Sequence, residues 1–266
     1  MYGAIIGDIC GSVYEFGKNR TKSKNATLFK EGSRYTDDTV MTIATMKWYI
    51  DGKKNDISTY YRWYGLKYPK AGYGGMFRQW LGDSTMGPYG SFGNGSAMRV
   101  SPVAWINNNP NDVMRDAQIT AECTHNDPEG IKGAQATAMA IYLARLGRSK
   151  PNIKKYIMDN FGYDLNRKLD EIRPNYSFDS TCPGSVPEAI ICFLEGRNFE
   201  ETIRFAISLG GDADTQAAIA GSIAEAFYGG VPAWMRQRAY YYLLPQFETE
   251  LKEFSKLEAI EYYKFI

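Results

Sequence analysis

Two long stretches built from small apolar residues constrain the fold of this chain most. Residues Gly130 to Leu146 are almost all small or apolar, and Asp214 to Tyr228 repeat the pattern with many alanines. Both stretches are longer than a typical strand, so each predicts a helix. A helix without a polar face is buried, and small side chains let its neighbours pack closely. The chain is therefore predicted to fold around buried helices.

Further helical patterns follow along the chain. Apolar residues recur at helical spacing over Thr39 to Ile50, and Glu188 to Leu194 and Glu201 to Leu209 predict two more helices. Arg236 to Ile266 predicts one or two amphipathic terminal helices. Alternating β-type patterns are scarce, and we find no linker or repeat. The fold class predicted for residues 1–266 is all-α, as one compact single domain.

Local start signals support these helices. Asp127-Pro128-Glu129 has an N-cap residue, a proline at the first helical position and an acid in the first turn. Ser185 and Glu188 have the spacing of a capping box, which predicts that a helix begins there. Residues 147–182 mix charge, proline and asparagine, and predict a surface excursion.

Composition excludes several classes of function. Thirty-one basic and 30 acidic residues leave a net charge of +1, which argues against a broad electrostatic grip on nucleic acid or an acidic membrane. No stretch reaches the ~20 apolar residues of a membrane helix. The N-terminus lacks the basic and apolar regions of a signal peptide, so we expect a cytoplasmic protein.

His125 is the only histidine and no two cysteines form a CxxC pair, so any metal must be held mainly by oxygen ligands.

Two acidic stretches stand directly before predicted helices. Thr36, Asp37 and Asp38 precede one helix, and Asp212, Asp214 and Thr215 precede the helix at the second small-residue stretch. Either stretch alone is explained by helix capping and by the helix dipole. Four carboxylates at one place repel each other unless a cation lies between them. The repeated chemistry favours a shared metal site over two unrelated caps.

The first sixteen residues contain a third candidate group. If Gly3 to Phe16 is helical, its glycines at positions 3, 7 and 11 form one face for close packing. Asp8, Ser12 and Glu15 then lie on another face. A negative charge near the C-terminal end of a helix is disfavoured by the dipole, which makes Glu15 a candidate functional acid.

Two glycine-rich loops and the single histidine complete the candidates. Residues 69–75 and 90–99 could cradle a diphosphate with backbone N–H groups, or they could be ordinary surface turns. Tyr73 and Phe92 could stack on a base or a sugar. A lone histidine is more often structural than catalytic, although His125 could orient a phosphate or a ribose.

In this order, these motifs resemble the ADP-ribosylglycohydrolase family, which includes the dinitrogenase-reductase-activating glycohydrolase and the eukaryotic ADP-ribosyl-acceptor hydrolases. Any one motif is a moderate signal, and six in sequence are highly specific. The motifs are GDxxGxxxEF at Gly7 to Phe16, TDDTxMT at Thr36 to Thr42, GNGxAMR at Gly93 to Arg99, THxxxxGxxGA at Thr124 to Ala134, SVPxAIxxFL at Ser185 to Leu194 and SLGGDxDT at Ser208 to Thr215.

The resemblance implies a helical ADP-ribosylglycohydrolase-like fold with two Mg²⁺ (or Mn²⁺) ions in a cleft. Glu15 matches a glutamate needed for catalysis, and Asp37 is a second candidate catalytic residue. The implied metal ligands are Thr36, Asp37, Asp38, Asp212, Asp214 and Thr215. The implied substrate-binding residues are Gly72, Tyr73, Gly74, Ser91, Phe92, Gly93, Asn94, Gly95, Met98 and His125. The family often has threonine where this chain has Ala213, which we expect to be a minor departure.

The function implied is hydrolysis of the glycosidic bond between ADP-ribose and an acceptor, either a protein side chain or a small molecule. ADP-ribose is then the product, and a nucleic-acid acceptor is disfavoured by the near-zero net charge. Two alternatives stay open. One is a binuclear-metal phosphoesterase that acts on a nucleotide diphosphate. The other is a non-catalytic ADP-ribose-binding protein or a structural relative like the lens crystallins.

Overall fold

The computed structural model describes residues 1–262, and it describes side chains as far as residue 257. Fifteen α-helices lie in residues 1–262, and the extended backbone of this range includes one isolated bridge between Gly93 and Thr181. The helices are α1 (Gly3–Gly11), α2 (Asp37–Ile50), α3 (Ile57–Lys67), α4 (Gly75–Gly82), α5 (Gly95–Met98), α6 (Ser101–Ile106), α7 (Pro110–Glu122), α8 (Pro128–Arg145), α9 (Lys150–Phe161), α10 (Leu169–Ile172), α11 (Cys182–Glu195), α12 (Phe199–Ser208), α13 (Ala213–Tyr228), α14 (Ala233–Ala239) and α15 (Pro245–Tyr262).

The two small-residue helices lie in the centre, as predicted. In α13 every residue from Ala213 to Ala226 is buried. This helix packs against α1, α8, α11 and α12. Alanine and glycine make such a position possible, because their side chains add little bulk between neighbouring backbones. The all-α prediction is confirmed, and no helix within residues 1–262 is long and apolar enough to span a membrane.

Helices α1 and α13 pack with their backbones in close contact. A Cβ atom on Gly3, Gly7 or Gly11 would overlap backbone atoms of Gly221, Ala217 or Ala213, respectively. The predicted glycine face of α1 therefore lies directly on the α13 backbone. At its other end α13 contributes Glu225, whose carboxylate accepts hydrogen bonds from the N–H groups of Tyr2 and Gly3 at 2.8 and 2.7 Å. These contacts fix the register between the two helices.

Helix α2 begins where its sequence predicts. The side-chain oxygen of Thr36 is the N-cap and accepts a hydrogen bond from the N–H of Asp38. Asp127 likewise caps α8 by accepting a hydrogen bond from the N–H of Glu129. Asp212 lies at the N-cap position of α13 without a capping hydrogen bond from its side chain. Its carboxylate is therefore available for other contacts.

Three sequence predictions about helix boundaries are corrected by the structure. Helix α11 begins at Cys182 with Thr181 as its N-cap, so Ser185 is not the cap and Pro187 lies inside the helix. Helix α1 ends at Gly11, so Ser12 and Glu15 do not continue a helical face with Asp8. Residues 147–182 contain α9 and α10 and are not simply a surface excursion. Of the predicted terminal helices, residues 263–266 lie outside the described residues.

We expect Gly7→Ala to destabilise the fold by about 1–3 kcal/mol, because the new Cβ would overlap the backbone of Ala217 and backbone atoms cannot move aside alone. Gly82→Ala is the matched control, since Gly82 is also helical and no heavy atom lies within 4 Å of its added Cβ. Urea denaturation of both variants measures the difference. Equal stability of the two variants would show that the α1–α13 approach is looser than described.

Candidate metal and substrate site

The two acidic helix starts meet, although they lie far apart in the sequence. The hydroxyl of Thr215 donates a hydrogen bond to the Asp38 carboxylate at 3.3 Å, across 177 positions of the chain. Carboxylate oxygens of Asp8, Asp38 and Asp214 all lie within 4.8 Å of one another. A second group consists of carboxylate oxygens of Glu15, Asp212 and Asp214, which also lie within 4.8 Å of one another. Asp214 belongs to both groups, so the two acidic groups are adjacent.

Burial and mutual repulsion dominate the electrostatics of this acidic cluster. Burial, and then the charges of Asp214 and Asp8, raise the pKa of Asp38 well above its usual range. The pKa of Asp37 rises to about 7, first because of burial and then because of Asp8. Burial followed by repulsion from Asp214 raises the pKa of Glu15 to about 9. The cluster therefore favours positive charge, supplied either by protons or by a cation.

The donor set fits a hard divalent cation. Oxygen Oδ1 of Asp38 is buried and has no hydrogen-bond partner. A buried carboxylate oxygen without a donor is costly unless a cation satisfies it. Every side chain in the two groups offers oxygen, which is the ligand that Mg²⁺, Mn²⁺ and Ca²⁺ prefer. The residues present are therefore suited to holding metal.

A cleft of about 390 Å³ opens above this cluster. Its floor is formed by five of the six predicted metal ligands: Asp37, Asp38, Asp212, Asp214 and Thr215. Eight of the ten predicted substrate-binding residues also line it: Gly72, Gly74, Ser91, Gly93, Asn94, Gly95, Met98 and His125. Thr36 is buried behind the floor, where it contacts Asp8 and Asp38. The structure thus gathers most of the predicted site residues into one concavity.

Two predicted stacking residues do not line the cleft. The Tyr73 ring is buried and packs against Phe77, with ring centroids 5.4 Å apart. Phe92 lies in the loop that contributes Ser91 and Gly93, but its side chain is 47% exposed. The Tyr73 ring is buried because it packs against an apolar side chain of α4. The Phe92 side chain is covered much less. Only the loop positions of these two residues agree with the prediction.

His125 lies at one wall of the cleft beside the glycine-rich loop. A Cβ atom on Gly95 would lie 3.1 Å from Nε2 of His125, so glycine leaves the room that the ring occupies. Its Nδ1 is 2.8 Å from the Thr124 hydroxyl, which accepts a hydrogen bond from Arg99. Burial, followed by the Arg99 charge, lowers the pKa of His125 well below its usual range. The ring is therefore neutral near pH 7 and suited to hydrogen bonding.

Sequence reasoning missed several residues of the site, among them Asp8, Phe16 and Phe178. It gave Asp8 no role, although the residue stands in the first motif and shares a cluster with two predicted ligands. Phe16 and Phe178 line the cleft with rings 5.6 Å apart, and they are 62% and 37% exposed. Phe178 lies in the segment predicted as a surface excursion, where no local pattern marked it. Only tertiary contacts bring it beside Glu15.

A larger groove of about 760 Å³ lies elsewhere, between the start of α12 and the loop at Lys24. Its charged lining mixes both signs, with Arg197 and Glu201 paired to each other. It contains none of the acidic cluster. The smaller cleft is therefore the better candidate, because it combines concavity with converging polar groups whose pKa values are perturbed.

Comparisons with known proteins agree with this geometry. The family model of the ADP-ribosylglycohydrolases matches residues 1–260. The chain therefore belongs to the ADP-ribosylglycohydrolase family. It is 29% identical to ADP-ribosylhydrolase ARH3 of Mus musculus over 306 residues, which covers 86% of this chain and 82% of that protein.

Two further likenesses extend over most of the chain. ADP-ribosylarginine hydrolase Tri1 of Pseudomonas putida is 26% identical over 306 residues, covering 99% of this chain and 81% of that protein. A solved structure described as an ADP-ribosylglycohydrolase-related protein complex superposes with a TM-score of 0.70 at 25% identity, covering 97% of this chain and 94% of that chain. These matches confirm the family and the fold predicted from the motifs.

The raised pKa values predict a pH-dependent stabilisation by Mg²⁺. Without metal, the folded cluster keeps protons at pH values where the unfolded chain has released them, because its carboxyl pKa values are raised. The contribution of the cluster to the free energy of unfolding therefore falls as the pH rises from about 4 to about 9. Mg²⁺ replaces those protons, so the increase in Tm that it causes should be larger at about pH 8.5 than at about pH 5.5. Thermal melts with and without chelator measure it. An equal increase at both pH values would contradict this electrostatic description.

Proposed function

We propose that this protein is a metal-dependent hydrolase that cleaves the glycosidic bond between ADP-ribose and an acceptor and releases ADP-ribose. The observation that carries the proposal is the meeting of two acidic helix starts beneath a cleft, in a chain of this family. The acceptor is an ADP-ribosylated protein side chain or small molecule. The names of the two relatives described above support the ADP-ribosyl half of the substrate, and that of Tri1 specifies arginine.

The proposed cofactors are two Mg²⁺ (or Mn²⁺) ions. Two acidic groups that share Asp214 are suited to two neighbouring cations. When bound, these cations supply positive charge that holds ribose hydroxyls and acidifies a water molecule. The residues proposed to hold them are Thr36, Asp37, Asp38, Asp212, Asp214 and Thr215.

The glycine-rich walls are proposed to hold the ADP portion. Gly72 has φ +119°, and a Cβ there would lie 3.1 Å from the Asp37 carboxylate, so glycine leaves that carboxylate open to the cleft. No heavy atom lies within 4 Å of a Cβ built on Gly74, which leaves its backbone accessible. The segment Ser91 to Gly95 forms the facing wall beside His125. Binding energy from these remote contacts would position the reacting ribose above the floor.

Glu15 is the proposed general acid or base, with Asp37 as a second catalytic carboxylate. The bond to the anomeric carbon breaks through an oxocarbenium-like state, in which the leaving group needs a proton and the water must lose one. Glu15 lines the cleft beside Asp214, and burial followed by repulsion from Asp214 raises its pKa, which favours the protonated carboxyl group. A carboxyl group in this state can donate a proton to a leaving group.

The activity test is release of free ADP-ribose from an ADP-ribosylated acceptor in the presence of Mg²⁺. Asp37→Ala and Asp214→Ala should each abolish release, and chelator should do the same to the unmodified protein. Asp159→Ala is the control, because this carboxylate is exposed and pairs only with the neighbouring Lys155 on α9. Full activity in chelator would end the metal-dependent proposal.

Product analysis separates the proposal from its alternatives. A glycosidase leaves ADP-ribose intact, whereas a phosphoesterase yields AMP and ribose phosphate. Binding of ADP-ribose without turnover of a panel of differently linked substrates would instead indicate a non-catalytic protein. A working site is favoured by the buried Asp38 oxygen without a donor and by the presence of Glu15 beside Asp212 and Asp214.

Replacing Glu15 tests its role in proton transfer. Glu15→Gln keeps the size of the side chain but cannot exchange a proton, so kcat should fall by roughly 10²- to 10⁴-fold while Mg²⁺ still raises Tm. Steady-state kinetics together with thermal melts measure the two effects. A kcat that stays within a few-fold of the unmodified protein would assign proton transfer to another carboxylate.

A further inference from the structure

The hydroxyl of Thr36 presents a chemical problem at the proposed metal site. A neutral hydroxyl can bind a cation only through a lone pair, so its single proton must point elsewhere. Oxygen Oγ1 of Thr36 lies 2.7 Å from Asp8 Oδ1 and 3.3 Å from Asp38 Oδ2. If the proton went to Asp38, the hydroxyl would compete with a cation for that carboxylate. The shorter distance indicates that the proton goes to Asp8.

Asp8 is surrounded by hydrogen-bond donors, and the Thr36 hydroxyl is one of them. It is fully buried, and its oxygens accept hydrogen bonds from the N–H groups and the hydroxyls of Thr36 and Thr39. All four partners are donors at the start of α2. Three of them converge on Oδ2, and the Thr36 hydroxyl binds Oδ1.

We infer that Asp8 is a positioning residue that makes Thr36 a metal ligand. When Asp8 accepts the hydroxyl proton and the Asp38 N–H donates to one lone pair of Thr36 Oγ1, the second lone pair of this oxygen remains for a cation. Its remaining hydrogen bonds hold the first turn of α2, and with it Asp38, against α1. The inference rests on the proposed function, because it requires a divalent cation at this floor. Outer carboxylates commonly orient metal ligands in this manner.

Asp8→Asn tests the inference because the amide must reverse one hydrogen bond. The amide oxygen is expected to take the Oδ2 position, where three donors converge, so that the NH₂ group faces Thr36 Oγ1. The amide then donates to the hydroxyl, and the hydroxyl proton turns toward Asp38 and the cation site. Three of the four hydrogen bonds survive, so the fold is expected to persist while metal binding weakens.

The measurement is calorimetric titration with Mg²⁺ alone, without substrate. Asp8→Asn should weaken Mg²⁺ binding by about 10- to 100-fold. Thr36→Val removes the hydroxyl and should weaken it similarly, whereas Thr36→Ser keeps the hydroxyl and should restore it to within a few-fold. In a Thr36→Val background, adding Asp8→Asn should change the affinity little, since both changes remove the same ligand.

Asp116→Asn is the matched control. Asp116 is also fully buried, and it accepts hydrogen bonds from Tyr49, Lys53 and Asn107 in another part of the fold. This variant should lower Tm and leave Mg²⁺ affinity unchanged, which separates loss of stability from loss of a ligand.

The outcomes that overturn the inference differ from those that overturn the function. If the unmodified protein binds Mg²⁺ and Asp8→Asn binds it equally well, Asp8 has only a structural role. If Asp8→Asn does not fold, Thr36→Val still decides, because unchanged Mg²⁺ affinity in that variant would show that the hydroxyl is no ligand. If the unmodified protein binds no Mg²⁺, the metal-dependent function fails and this inference fails with it.

Discussion

The backbone contact between α1 and α13 is the constraint on which the site depends. Glycines on α1 let the two helices approach until side chains have no room between them. Glu225 then sets the register by binding the first N–H groups of α1. With that register, Asp8 on α1 comes within 4.8 Å of Asp214 at the start of α13. A wider contact would separate these carboxylates, so the packing of the two helices sets the geometry of the acidic cluster.

The acidic floor works against the stability of the fold that holds it. Buried carboxylates that repel one another raise each other's pKa, and a chain selected for stability alone would avoid them. Two features offset part of the cost. The helix N-termini at Asp38 and Asp214 place partial positive charge beside the carboxylates. The donors around Asp8 provide four hydrogen bonds to one of the most buried members. The rest of the cost remains to be offset by protons or by a cation.

The cleft divides into a rigid floor and loop-built walls. Asp38 and Asp214 of the floor stand in the first turns of helices that pack in the core, whereas the glycine-rich walls and the exposed rings of Phe16 and Phe178 belong mainly to loops. Loops carry differences in specificity because they tolerate substitution without disturbing the core.

Local sequence patterns determined the helical class, the buried small-residue helices, the glycine face of α1 and the Thr36 cap, because helical periodicity and capping act over a few residues. The family motifs also marked the carboxylates that now share the floor. Only the tertiary structure decided that Asp8 joins them, that the Tyr73 ring turns inward and that Phe178 reaches the cleft. These outcomes depend on contacts between residues far apart in the chain, where the direction of a side chain is set by packing and no local pattern records it.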